Sequence, residues 1–291
     1  MKGLSLPKPW CPTKQNAHSE PWWKSRGPGS LGVILDPSES MGAEEHHREF
    51  AHSNNPAFTS AEAALVLPFG RESFLEAAVE LYKGKRVELD ETTDRIVYQL
   101  EAAPVPVTLL FSGMGGPAMA NALEMAAGNG AREAVVFGAC GGVDPLLGIG
   151  ELLIAEGGVR GEGASRYYAP IEFPAVCDTG MTESLWRAAR TAGFKAHRGL
   201  VYTTDAGYRQ GPEIYDTYAG LVLGVECECA TAAVVARRLG LRLGTVLFCS
   251  DNVTLGEDSD RRYQGLAEPR IRAGFEAALS TAIQALTDRR Q

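Results

Sequence analysis

The chain has 291 residues, of which 45% are hydrophobic and 22% charged, and its formal net charge is −8. Such a composition is globular and the length is enough to bury a substantial core, while the acidic balance argues against nucleic acid as a partner. No apolar run of about 18 residues exists, so no membrane span is expected, and the opening Met1–Pro7 stretch breaks at proline before an apolar signal region can form.

Residues 1–60 read as an N-terminal arm rich in proline that carries Trp10, Trp22 and Trp23, with strand character only at Leu31–Leu35. Polar, proline-rich composition favours disorder. Three tryptophans argue instead for packing, on the core or on a neighbouring subunit. Four of the five histidines (His18, His46, His47 and His52) lie in this arm, away from most of the cysteines, so no metal site is expected. The six cysteines include no CxxC pair and read as reduced, mostly buried thiols of a cytoplasmic protein.

From residue 61 the pattern becomes regular. Ala63–Pro68 is a short apolar run, and Glu72–Tyr82 places Phe74, Ala77, Ala78 and Leu81 on one helical face. Val105–Phe111 reads as a strand, and Pro117–Ala127 as a helix with proline in its first turn. Strands follow at Ala134–Gly138 and Glu151–Glu156, then a helix at Thr182–Ala192 that stops at Gly193. Leu221–Val225 and Thr245–Cys249 are expected strands, with a helix at about 228–239 between them and a last helix at about 266–288. Alternating strands and helices predict an α/β class with a mixed or mostly parallel sheet.

Chemistry-bearing residues cluster where strands end, the place at which open α/β sheets bind ligands. Ser112-Gly113-Met114-Gly115-Gly116-Pro117 joins a strand to a helix, and its spacing is not that of a dinucleotide fingerprint. It reads either as a tight turn or as a loop whose backbone approaches a ligand. Gly138-Ala139-Cys140-Gly141-Gly142 and Ser250-Asp251-Asn252 end two further strands. Asp251 there is either a cap or a general acid. Val225-Glu226-Cys227-Glu228 sets two carboxylates two residues apart at a strand-to-helix junction. They read as solvated loop acids or as acceptors for a vicinal diol.

Taken in series, these stretches resemble the nucleoside phosphorylase and nucleosidase superfamily of the purine nucleoside phosphorylase, uridine phosphorylase and methylthioadenosine nucleosidase type. Gly148-Ile149-Gly150-Glu151, Arg160-Gly161-Glu162-Gly163-Ala164-Ser165 with Tyr168, and Thr203-Thr204-Asp205 complete the series across residues 61–285. The resemblance implies a three-layer αβα fold, a central mixed β-sheet flanked by helices, in one catalytic domain over 61–291. It implies cleavage of a nucleoside N-glycosidic bond through an oxocarbenium-like sugar, in a homo-oligomer (dimer or hexamer), with inorganic phosphate as co-substrate and no organic cofactor or metal. By the same resemblance Glu228 holds the ribose hydroxyls, Glu226 is its paired acid, and Cys227 and Met114 lie against the sugar. Ser250 and Asp251 face the base, with Tyr208 (or Tyr168) stacking on it and Cys140 and Gly141 lining it.

Two departures matter. The family's uracil-reading Gln-x-Arg falls on Pro212-Glu213-Ile214, although the Tyr215-Asp216-Thr217-Tyr218 that follows it in that branch is present, and Gln210 lies close by. With Asp251 in place, a purine is the expected base. The family's phosphate arginine falls on Val136 and its phosphate hydroxyl on Ala139, leaving Gly70, Arg71 and Arg160, or Arg48 of a neighbouring subunit, as candidates for the anion. Loss of that arginine keeps a hydrolase in play, with Glu72 activating water. A non-catalytic nucleoside-binding relative is the remaining alternative.

Overall fold

The structure is a computed structural model, and it describes residues 60–68, 72–87, 89, 96–102, 105–256 and 265–288, of which the Glu72 and Gly265 side chains are not described. The arm, with its tryptophans, its Leu31–Leu35 segment and Arg48, lies outside the described residues, as do Gly70 and Arg71. Ser60 is the exception: it is buried, and its amide donates to Asn129 O at 2.9 Å.

Among the described residues, ten strands form one mixed sheet. They are β1 (Ala63–Leu67), β2 (Lys85–Arg86), β3 (Ile96–Leu100), β4 (Val107–Phe111), β5 (Glu133–Gly142), β6 (Leu152–Gly161), β7 (Ala175–Val176), β8 (Ala196–Thr204), β9 (Gly224–Glu226) and β10 (Arg242–Asn252). The helices are α1 (Glu72–Leu81), α2 (Gly116–Gly128), α3 (Thr179–Thr191), α4 (Pro212–Tyr218), α5 (Cys229–Leu239) and α6 (Pro269–Thr287). The order across the sheet is β10-β6-β8-β9-β5-β1-β4-β3-β2, and β10 also pairs with β5. β5, β10, β6, β8 and β9 therefore close into a ring, and β1 to β4 extend it as an open wing.

Both faces of the sheet are covered. Alternate residues of β1 show the period-two logic: Leu65 and Leu67 enter a core with Phe74 of α1, Leu185 of α3 and Phe275 of α6. Ala64 and Val66 enter the opposite core with Met119 of α2 and Val234 of α5. Phe74 and Phe275 meet edge to face, ring centroids 5.1 Å apart. This is the three-layer arrangement expected of the class. Among the described residues no helix is long and apolar enough to cross a membrane.

Several elements differ from expectation. β3, β8 and α4 were not anticipated, and the apolar run at Leu221–Val225 is a strand only from Gly224, because Leu221 is exposed in the turn before it. β5 runs four residues past Gly138, to Gly142, and that extension reaches across the ring and positions the site.

Candidate active site

Gly141 lies at the centre. It pairs with Val225 of β9 on one side and with Asp251 of β10 on the other. Neighbouring strands lie about 4.8 Å apart, so Val225 and Asp251 are about 10 Å apart across the extension, roughly a nucleoside's length. A bulge makes this possible: β10 slips register between Cys249 and Asp251, with Ser250 as the extra residue. Bulges re-aim side chains at such places. Asp251 is 2% exposed, and Ser250 Oγ donates to its Oδ1 at 2.7 Å. Asn252 ties the bulge down, with Nδ2 donating to the carbonyls of Asp144 (2.8 Å) and Leu147 (2.7 Å). Gly142 must be glycine, because a Cβ there would stand 2.5 Å from that Nδ2.

On the other side β9 delivers Glu226, Cys227 and Glu228 to the start of α5. Glu228 Oε1 accepts the Gly115 amide at 2.6 Å. Gly115 is the N-cap of α2 at φ 97°, a conformation that a side chain would strain. The glycine-rich turn after β4 is thus both tight and close to the acid. Glu226 Oε2 accepts the amides of Glu228 and Cys229, each at 2.7 Å, and Thr203 Oγ1 donates to Oε1 at 2.5 Å. Both glutamates are 5% exposed. Burial, first, and then their mutual repulsion push the Glu228 carboxyl above its usual range, against the amides that favour its ionised form. Burial raises Glu226 as well, over the opposing pull of Thr203 and the two amides.

Cys227 is half-buried, and burial together with Glu228, Glu226 and Asp205 holds its thiol up to about 12, so it is no nucleophile near neutral pH. Cys140 is buried beside Gly224 and pushed well above its ordinary value, mainly by burial. Met114 and Tyr208 are 62% and 89% exposed. Tyr208 lies on the one-turn segment Gly207–Arg209, where a Cβ on Gly207 would stand 3.6 Å from Cys227 Sγ. Tyr168 instead packs on the core, where burial and the charge of Glu124 of α2 push its hydroxyl up to about 12. Gln210 accepts from the Tyr215 hydroxyl at 3.5 Å, and Ile214 packs with Val225.

The residues expected to hold an anion are placed otherwise. Val136 is buried in the core between β1 and β10, where it pairs with Val66 and Thr245. Ala139 packs on the opposite core and offers no side-chain donor. Arg160 donates to Ser165 Oγ (2.9 Å), Ala169 O (2.9 Å), Phe173 O (2.8 Å) and Pro170 O. Its fork is turned to its own loop. Glu162, buried beside it, accepts the amide of Ser165 at 2.9 Å and the Ser165 hydroxyl. Sequence reasoning assigned no role to Thr203, Gly115 or Glu162, although all three fall inside the quoted motifs.

Residues 63–284 match the family profile of the phosphorylase superfamily. The chain belongs to that superfamily, and it is an enzyme of the family. It is 34% identical over 178 residues to a uridine phosphorylase of Escherichia coli (strain K12), covering 56% of this chain and 70% of that one. It is 28% identical over 182 residues to a guanosine phosphorylase of Halorubrum lacusprofundi, covering 62% and 76%. The crystal structure of a uridine phosphorylase from Vibrio fischeri superposes with a TM-score of 0.67 at 22% identity, over 79% of this chain and 93% of that one. That likeness is one of fold.

Proposed function

We propose that the protein cleaves the N-glycosidic bond of a nucleoside by phosphorolysis, releasing the free base and ribose 1-phosphate, with purine preferred. The observation that carries this is a pair of buried acids on the two strands beside Gly141: Asp251, which pairs with Gly141 from the bulge of β10, and Glu228, three residues past Gly141's other partner Val225 and gripped through one oxygen by Gly115. In this reading Glu228 accepts hydrogen bonds from the ribose hydroxyls and steadies the cationic sugar. The C1′–N bond breaks, its electrons pass to the base, and a proton reaches the purine at N7 from Asp251. A phosphate oxygen then bonds to C1′ from the other face. No cofactor is needed. The same proposal has a homo-oligomer at work in the cytoplasm, consistent with free cysteines at 140, 177, 227, 229 and 249.

Two observations favour other outcomes. The relatives include several uridine phosphorylases, which supports a pyrimidine nucleoside. Val136 in the core and the commitment of Arg160 support water as nucleophile. One assay separates all three: purine and pyrimidine nucleosides incubated with and without inorganic phosphate, reading base, ribose and ribose 1-phosphate. Phosphate-dependent release of ribose 1-phosphate from a purine nucleoside is expected. Free ribose in the absence of phosphate would overturn phosphorolysis, and turnover of uridine alone would overturn the purine preference.

A further inference from the structure

Helix α5 begins in an unusual way. Its N-cap residue, Glu228, makes no side-chain capping bond. A helix start leaves amides without partners, and the N-cap side chain is the ordinary supplier. Here other residues supply them. Glu226 Oε2 takes the amides of Glu228 and Cys229, each at 2.7 Å, and Thr203 Oγ1 takes that of Ala230 at 2.9 Å. Thr203 spends its proton on Glu226 Oε1, at 2.5 Å. One hydroxyl on β8 therefore completes the cap of α5 and fixes the rotamer of Glu226 together. The Glu228 carboxylate makes no helix-capping bond and accepts the Gly115 amide on one oxygen.

The surroundings keep this contact intact. Thr203 is fully buried and pairs with Glu226 across β8 and β9. A Cβ on Gly158 of β6 would stand 3.1 Å from Thr203 Oγ1 and 3.0 Å from the Ala230 amide, so glycine there gives both groups their room.

We infer that Thr203 is a positioning residue for the reaction, acting through Glu226 on the turn that aims Glu228 at the sugar hydroxyls. The inference rests on the ribose reading of Glu228 given above. It casts Glu226 as the strut of the site rather than as a second sugar ligand, since its oxygens already serve three donors.

The test compares Thr203→Val, which keeps the shape and loses the hydroxyl, with Thr203→Ser, which keeps the hydroxyl. Each is assayed by kcat/KM on a ribonucleoside and on its 2′,3′-dideoxy counterpart, which offers Glu228 nothing to hold. Thr203→Val is expected to lose about 30-fold on the ribonucleoside, the scale of a buried group left unpaired, and at most about 3-fold on the dideoxynucleoside. Thr203→Ser is expected to stay within about 3-fold of the parent on both. Glu226→Gln should give the same ribose-selective loss, and it serves as the readout if Thr203→Val does not fold. Equal losses on the two substrates would reduce Thr203 to a fold-stabilising residue and overturn the inference. A parent protein that cleaves neither substrate, with or without phosphate, would instead sink the ribose reading itself, and the inference with it.

Discussion

The two halves of the site are built on opposite principles. On the side proposed for the sugar, polar groups are buried and bonded to one another: Thr203, Glu226, the first amides of α5, Gly115 and Glu228. On the side proposed for the anion, Val136, where the family resemblance implies a cation, is apolar and buried, and the Arg160 guanidinium is spent on loop carbonyls. A preorganised acid costs stability and is worth keeping only if a ligand uses it. A buried valine costs nothing and invites no anion. On the reading proposed above, the described residues are organised around the sugar, and neither Val136 nor Arg160 offers phosphate a free cation.

The strongest way to break this comparison is Glu228→Gln. The amide keeps the shape and loses the charge that steadies an oxocarbenium-like sugar, so kcat/KM should fall on the order of 10³-fold. If it fell no more than a few-fold, the sugar side would not be the organised half. The next largest effect is expected from Asp251→Asn: a loss of about 10²-fold in kcat on purine nucleosides, the scale of one lost general acid. Pyrimidine nucleosides should suffer less, because they offer no N7. An equal loss on both would tie Asp251 to architecture through Ser250 and the bulge.

Much of this site was legible in the sequence, for a physical reason. Gly113 to Pro117, Gly138 to Gly142 and Val225 to Glu228 are contiguous runs at strand ends, where backbone freedom and acidic side chains must be local. What was hidden is relational. β8 has the sequence AHRGLVYTT, which shows no apolar alternation because its first half is only partly buried, so the strand that carries Thr203 gave no periodic signal. Arg160 reads as a candidate for the anion, since the carbonyls it serves lie nine to thirteen residues away and turn toward it only in the folded loop. The ring closed by β5 and β10 depends on pairing across about a hundred residues and on a bulge at Ser250, neither of which any local pattern encodes.

A smaller effect sharpens the comparison through pH. Burial raises Glu226 to about 7 and Glu228 to about 8, above their unfolded values, so the native state holds more protons than the unfolded one in the window from the ordinary carboxylate range up to about 8. Stability of the ligand-free protein should therefore fall as pH rises through that window and level off above it. Glu228→Gln should flatten this slope and raise the melting temperature at pH 8 while removing activity. A slope unchanged by the substitution would mean that the buried pair is not its source.

The smallest expected change belongs to the anion side. Arg160→Lys replaces a planar fork that serves three carbonyls and a serine with a single ammonium. The loop around Ser165 to Phe173 should loosen, costing about 1–2 kcal/mol in urea unfolding. The KM for phosphate should stay within about 2-fold of the parent, because a group already turned to carbonyls has little to withdraw from an anion. Were Arg160 a phosphate ligand, the loss of a charge-assisted contact would raise that KM by roughly 10-fold or more with stability nearly untouched. The two readings thus move two different measurements, and a single variant measured both ways tells a loop clasp from an anion site.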